Sequence, residues 1–269
     1  MNTLPQTFQW TPNGFEPIAP LNDTDILVAD SWRVHDGEVW GLQDHLQRFM
    51  AGIATQAQFV GPLPNIDPAE FETAIREILQ HTAQSHPGMD LFPRLSVEIH
   101  DGSPRVVLLV RPAPQVRTTT SLSIPDYTDP RIRPTVKGPD IDLMRRLVAE
   151  ATTDDVVLHD GTNVIETTTG ALLVWHTPKH LVLCQASQQL ASISVQRIAN
   201  HARSRNISVT SRPVTIEEMV TGEYPVWFSN TLHGISPVST IRVATEETSV
   251  ASHPETAAWQ SAWWRGFES

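Results

Sequence analysis

Apolar positions along the chain recur in two rhythms, one of strands and one of helices. Short runs rich in β-branched and aromatic residues, closed by turn-forming residues, predict three hairpins. Residues 26–34 turn at Asp36-Gly37 into 38–40, residues 95–100 turn at Asp101 to Pro104 into 105–111, and residues 155–159 turn at Asp160 to Asn163 into 164–166. Between the first two, Leu42, His45, Leu46, Phe49 and Ile53 recur at helical spacing, and a second helix starts near Pro68 with Phe71, Ile75 and Ile78 on one face. The stretch 112–120 is rich in Pro and Thr and has no clear period, which places a linker there. Beyond it the pattern predicts helices at about 140–151 and 191–205 and strands around 171–184, 207–212, 225–229 and 238–243. Residues 257–267, with Trp259, Trp263 and Trp264, read as a terminal amphipathic helix docked through its tryptophans. Strand runs dominate and helices interrupt them irregularly, without repeats, so the expected class is α+β. The expected organisation is a small N-terminal domain (1–111), a linker (112–120) and a larger C-terminal domain (121–269).

Composition narrows the function. The net charge of −11, with only 19 Lys and Arg, leaves no basic stripe for a phosphate backbone, so no nucleic-acid partner is expected. The first ten residues lack a basic segment followed by an apolar one, and the aliphatic run 106–110 is far too short to span a bilayer. A cytoplasmic protein with no membrane partner is expected. The single cysteine, Cys184, allows neither an intrachain disulfide nor a Cys-based metal cluster, and its apolar run reads as a buried structural thiol. No metal is expected.

Lysine is scarce: 17 of the 19 basic residues are arginine, leaving Lys137 and Lys179 as the side-chain amines. An amine nucleophile must be one of these two. Lys179 falls in a turn between two apolar strands, where solvent is its expected partner. Lys137 falls in Pro134-Thr-Val-Lys-Gly-Pro139, after a strand and before a helix, and taken alone reads as a loop lysine.

Four segments, taken together, change that reading. They are Asp30-Ser-Trp-Arg-Val-His-Asp-Gly37 with His45-Leu-Gln-Arg-Phe49; the Lys137 segment; Val164-Ile-Glu-Thr-Thr-Thr-Gly170; and Leu190-Ala-Ser-Ile-Ser-Val-Gln-Arg197 with Ser229-Asn-Thr-Leu-His-Gly-Ile-Ser-Pro-Val238. In order and spacing, over about residues 25–240, they resemble the class IV aminotransferases, a family that includes branched-chain and D-amino-acid aminotransferases and 4-amino-4-deoxychorismate lyase. The resemblance implies a pyridoxal 5′-phosphate enzyme with Lys137 as the Schiff-base lysine and Glu166 at the pyridine nitrogen. Arg48, Thr231 and the helix start at Ile193 and Ser194 would bind the phosphate. It also implies the cofactor at the interface of two mixed domains, a homodimer and a small amino substrate.

On the substrate side, Ser31 and Asn230 look like polar residues at lyase positions. Arg105, in Ser103-Pro-Arg105, resembles the carboxylate-binding segment of the D-amino-acid aminotransferases. Elimination of pyruvate from 4-amino-4-deoxychorismate is the first expectation, amino-acid transamination the second, and a binding protein that has lost activity the third. His233 lies near the expected site, with a structural role as open as a catalytic one. The chain departs from the family pattern at Gly170-Ala171, where Ser-Asn is common, at Ser192 for glycine and at Val195 for arginine. Residues 25–29 replace the usual glycine-rich lead into the first hairpin.

Overall fold

A computed structural model describes residues 3–21 and 25–267. Contacts divide the chain into two compact units, Met1–Gln115 with Val136–Ile141, and Val116–Thr135 with Asp142–Ser269. The passage at 115/116 lies inside the stretch 112–120. The return of Val136–Ile141 to the first unit has no counterpart in the sequence pattern.

The first unit contains β1 (Gln6–Thr11), β2 (Gly14–Ile18), β3 (Asp25–Ser31), α1 (Leu42–Thr55), α2 (Ala57–Val60), α3 (Pro68–Ser85), β4 (Arg94–His100) and β5 (Ser103–Val110). Its sheet runs β2-β1-β5-β4-β3, every neighbouring pair antiparallel. The β4–β5 hairpin closes through Asp101 and Gly102 at φ 49° and 71°, the left-handed pair that a two-residue turn requires. The α3 helix starts where Asp67 accepts from the Ala69 and Glu70 N–H groups at 3.0 Å each, with Pro68 in the first turn.

The first expected hairpin is different in the structure. Asp36 and Gly37 do close a turn, with a bridge between His35 and Glu38, but Gly41 at φ 75° sends the chain directly into α1. No length remains for a second arm, and β3 pairs with β4 instead. The β1–β2 hairpin is absent from the sequence reading, although Pro12-Asn13 before Gly14 (φ 102°) is a turn signal. Phe49 from α1 and Phe71, Ile75 and Leu79 from α3 pack with Leu95, Val97, Val106 and Leu108 in one buried core, which also takes in Val136.

The second unit contains β6 (Thr120–Ile124), α4 (Ile141–Glu150, all but its first residue), β7 (Asp155–His159), β8 (Val164–Thr167), β9 (Ala171–Thr177), β10 (His180–Cys184), α5 (Ile193–Ser204), β11 (Ser208–Arg212), α6 (Ile216–Val220), β12 (Val226–Asn230), β13 (Gly234–Val243), β14 (Glu246–Ser249) and α7 (Thr256–Trp264). The strand order is β11-β10-β9-β12-β13-β6-β7-β8, with β14 on β13. The pairs β10–β11, β13–β6 and β6–β7 are parallel and the others antiparallel, giving the mixed sheet of an α+β protein. Lys179 is exposed in the turn between β9 and β10.

Cys184 is buried at the end of β10, and burial pushes its thiol up to about 12, consistent with a packing role. Trp259 and Trp263 of α7 are buried against Trp175, Trp227 and Ile198, so the terminal helix docks through its tryptophans as its pattern predicts. Among the described residues, no helix is long and apolar enough to cross a membrane.

Candidate active site

In the first unit, β3 and α1 meet around one buried carboxylate. His45 and Arg48 are three residues apart on α1 and so share a face. Both reach Asp30 of β3. The Arg48 Nε donates to Oδ2 and Nη2 to Oδ1, each at 2.8 Å, a bidentate pair. The His45 Nδ1 and the Ser31 backbone N–H also donate to Oδ1 at 2.8 Å. Burial by itself would raise the Asp30 carboxyl, but Arg48, His45 and Lys137 together hold it well below the usual carboxylate range. Burial pushes the His45 ring below its ordinary value, outweighing the attraction of Asp30, so the imidazole is neutral and Nδ1 carries the donated hydrogen.

Lys137 is fastened to the same strand by its backbone. The Ala29 N–H donates to the Lys137 carbonyl at 2.7 Å. The next residue, Gly138, has φ 138°, and a Cβ there would lie 2.7 Å from the Val28 Cα and 2.8 Å from the Ala29 nitrogen. Only glycine permits this approach. The Lys137 side chain is 31% exposed, and its Nζ lies 3.9 Å from the Asp30 Oδ1. Ser31 is buried beside this group.

Arg105 is elsewhere in the same sheet. It pairs with Glu98, which pairs with Ile26, four residues along β3 from Asp30, or about 13 Å of strand. Its Nη1 donates to the Gln9 Oε1 at 3.3 Å. Within this unit Arg105 therefore does not join the Asp30 group. His35, Asp36 and Asp90 bring possible metal donors within 4.8 Å of one another, but Arg33 Nε lies 2.7 Å from the Asp90 Oδ2 and supplies the positive charge locally.

In the second unit, Glu166 is buried on β8. Its Oε1 accepts from the Arg131 Nη1 at 2.7 Å and from the Leu190 N–H at 3.1 Å, while Oε2 takes part in neither bond. Arg131 is held in turn by Asp129, through Nε at 3.0 Å and Nη2 at 2.7 Å. Burial raises the Glu166 carboxyl above its ordinary value, and Arg131 and the Leu190 N–H offset this only in part.

The loop after Glu166 is tied at several points. Asp155 of β7, fully buried, accepts from the hydroxyls of Thr168 and Thr169. A Cβ on Gly170 would lie 2.5 Å from the Phe228 ring and 2.8 Å from the Ser229 carbonyl. This packing explains why glycine stands where the family commonly has serine.

Asn230 holds this loop to the turn that follows β12. Its Nδ2 donates to the Thr169 carbonyl at 3.1 Å, and its Oδ1 accepts from the N–H groups of Leu232 at 3.1 Å and His233 at 2.7 Å. Thr231 lies inside that turn, partly buried. The His233 Nδ1 accepts from the Arg117 N–H at 3.2 Å, giving this histidine a structural bond. Ser192 caps α5 by accepting from the Val195 N–H at 3.3 Å, and Ile193 and Ser194 are buried in the first turn, whose N–H groups lie outside the helical ladder. Replacing Ser192 with alanine is expected to cost about 1 kcal/mol, read as a lower denaturation midpoint.

Sequence reasoning missed Asp30, Arg131 and Asp155. Asp30 left a trace, a carboxylate inside an otherwise apolar strand run. Arg131 is joined to Glu166 across 35 residues and left none.

The sequence finds no match among curated proteins. Among solved structures, a fold IV transaminase from Curtobacterium pusillum is similar at 17% identity and a TM-score of 0.79, with 97% of each chain covered. A branched-chain aminotransferase from Thermoproteus uzoniensis gives 13% and 0.76, covering 97% of this chain and 94% of its own. A protein from Legionella pneumophila assigned as a 4-amino-4-deoxychorismate lyase gives 17% and 0.68, covering 89% and 90%. At these identities the likeness is one of fold. The sequence itself matches the family described as Amino-transferase class IV over residues 27–241. That stretch takes in both the Asp30 and Lys137 group and the Glu166 loop, and the chain accordingly belongs to the class IV aminotransferases, enzymes that work with pyridoxal phosphate.

Proposed function

We propose that the protein eliminates pyruvate from 4-amino-4-deoxychorismate, leaving 4-aminobenzoate, with Lys137 as cofactor anchor and base. The observation that carries the cofactor assignment is Glu166: one carboxylate oxygen is fixed by Arg131 and the Leu190 N–H, and the other takes part in neither bond. The side chains suit pyridoxal phosphate group by group. Glu166 Oε2 would take the pyridine N–H, and the Lys137 amine the aldehyde carbon. The first-turn N–H groups of α5 with the Ser194 and Thr231 hydroxyls would take the phosphate. Arg48, which the resemblance assigns to the phosphate, has its Nε and Nη2 committed to Asp30.

Bound pyridoxal phosphate supplies an electron sink for the pair left at the substrate Cα. The protein's part is to move protons and hold groups in line. The Lys137 Nζ would take the Cα proton, with the Asp30 carboxylate 3.9 Å away to stabilise the resulting ammonium, and would give that proton to the methylene carbon of the departing enolpyruvate as the ring C–O bond breaks. With the cofactor bound, Glu166 would hold the proton on the pyridine nitrogen, and Arg131 keeps the carboxylate from turning away.

The lyase assignment is supported by the likeness of Ser31 and Asn230 to polar lyase positions. The Asn230 amide also holds the turn around Thr231, so its contribution to substrate binding would come through the hydrogen left on Nδ2. A second reading, amino-acid transamination, is favoured by Arg105 in its Ser-Pro-Arg segment. Incubation with 4-amino-4-deoxychorismate and no keto acid separates the two. The lyase is expected to release pyruvate and 4-aminobenzoate over many turnovers. If pyruvate is absent, but an amino acid bleaches the bound cofactor's visible absorbance and a 2-oxo acid restores it, the enzyme is an aminotransferase.

A further inference from the structure

We infer that Asp30 is a positioning residue that sets the charge of the Lys137 amine, by sharing one buried carboxylate between that amine and the Arg48 guanidinium. The inference rests on the reading of Lys137 as the reactive amine. Its physical basis is the arrangement around a single atom. The Asp30 Oδ1 receives the Arg48 Nη2, the His45 Nδ1 and the Ser31 N–H at 2.8 Å each, and it faces the Lys137 Nζ at 3.9 Å. Oδ2 receives the Arg48 Nε at 2.8 Å.

Two packed elements bring polar and charged groups toward Lys137. Asp30 comes from β3, and His45 and Arg48 come from α1; on its own segment, Asp140 follows three residues on. His45 contributes no net charge, because its Nε2 is buried without a partner and a cationic ring would leave a charged N–H unsatisfied there. At Asp30 itself the balance is therefore one carboxylate against a permanent guanidinium and an amine that can be charged or neutral.

The two neighbours act on the amine in opposite directions. Arg48 favours the neutral form, which is the nucleophile, and Asp30 favours the ammonium, which is the form after proton uptake. A base that must first attack and then hold a proton needs both forms within reach at one pH. Removing Asp30 leaves two cationic groups close together, and the amine then sheds its proton more readily.

The two-lysine composition gives a direct test. The full-length chain, freed of bound aldehyde with hydroxylamine, is labelled with trace acetic anhydride from neutral to alkaline pH. Peptides bearing Lys137 and Lys179 are quantified by mass spectrometry, with exposed Lys179 as the reference inside each molecule. In Asp30→Asn the half-labelling pH of Lys137 is expected to fall by about one unit, a tenfold rise in free amine at fixed pH, while Lys179 stays in place. In Arg48→Gln it is expected to rise, since Asp30 then faces Lys137 without its competitor.

Should Asp30→Asn fail to fold, Arg48→Gln decides alone, and no rise at Lys137 overturns the inference. It is equally overturned if Lys137 stays still in Asp30→Asn, or moves only together with Lys179. Because no cofactor is present in this measurement, it reads the Asp30 effect even if Lys137 proves not to be the cofactor lysine.

Discussion

Borohydride reduction of the protein loaded with pyridoxal phosphate is expected to leave the phosphopyridoxyl group on Lys137 and none on Lys179. Replacing Lys137 with alanine is expected to lower turnover by at least about a hundredfold to ten-thousandfold, the range a positioned base contributes. The geometry distinguishes the two amines. Lys179 sits exposed in the β9–β10 turn, where solvent surrounds it. Lys137 is anchored through its carbonyl to the Ala29 N–H, with its amine 3.9 Å from a buried carboxylate. Peptide mapping of the reduced protein decides the matter. Label on Lys179, or on neither lysine, refutes the assignment, and an alanine variant that retains full turnover refutes the role of the amine as base.

Changing Gly138 to alanine is expected to cost about 2 to 5 kcal/mol of stability and to abolish the specific labelling of Lys137. At φ 138° the backbone is in a region closed to side chains, and the new Cβ would fall 2.7 Å from the Val28 Cα and 2.8 Å from the Ala29 nitrogen. Those are backbone atoms of β3, so no side chain can turn aside to make room. The Lys137 segment would have to lift off the strand and give up the bond between Ala29 and Lys137. Gly88 serves as the control: at φ 75° a Cβ there would meet nothing within 4 Å, and alanine should cost only about 1 kcal/mol. Urea midpoints for the two variants that differ by less than the error would refute the close-approach argument.

The sequence pattern revealed elements wherever burial followed a regular period. Leu42, His45, Leu46 and Phe49 announce α1 because one face of that helix is buried, and the β4–β5 hairpin is visible because Asp101-Gly102 punctuates two apolar runs. β6 was hidden because it begins at Thr120, the last residue of a Thr-rich stretch, and its Thr120 hydroxyl is matched by that of Ser236, 116 residues away. The pairing of β3 with β4 was hidden for a similar reason: local turn chemistry at Asp36-Gly37 pointed to a nearer partner.

The site was legible to the extent that chemistry follows residue type. A chain with two lysines narrows an amine reaction to two positions, and the motif around Glu166 identifies a carboxylate. What orients these groups was not legible, because Arg131, Asp30 and Asp155 act through contacts that only folding brings together. The same holds for Asn230 and His233. Besides any role toward substrate, Asn230 bonds the Thr169 carbonyl and the N–H groups of Leu232 and His233, and the His233 Nδ1 accepts from the Arg117 N–H, contacts that residue type alone does not reveal.

The chain passes between its two units three times, at 115/116, 135/136 and 141/142, and this sets an order on its synthesis. When residue 115 leaves the ribosome the first unit has every residue of its sheet and helices but still lacks Val136 for its core and the Lys137–Gly138 segment for the side of β3. Roughly 26 more residues must emerge, about 1 to 5 seconds of translation, before that gap can close. A nascent chain stalled in this interval would carry Asp30, His45 and Arg48 without the lysine they face. The group that holds the amine is therefore made before the amine arrives.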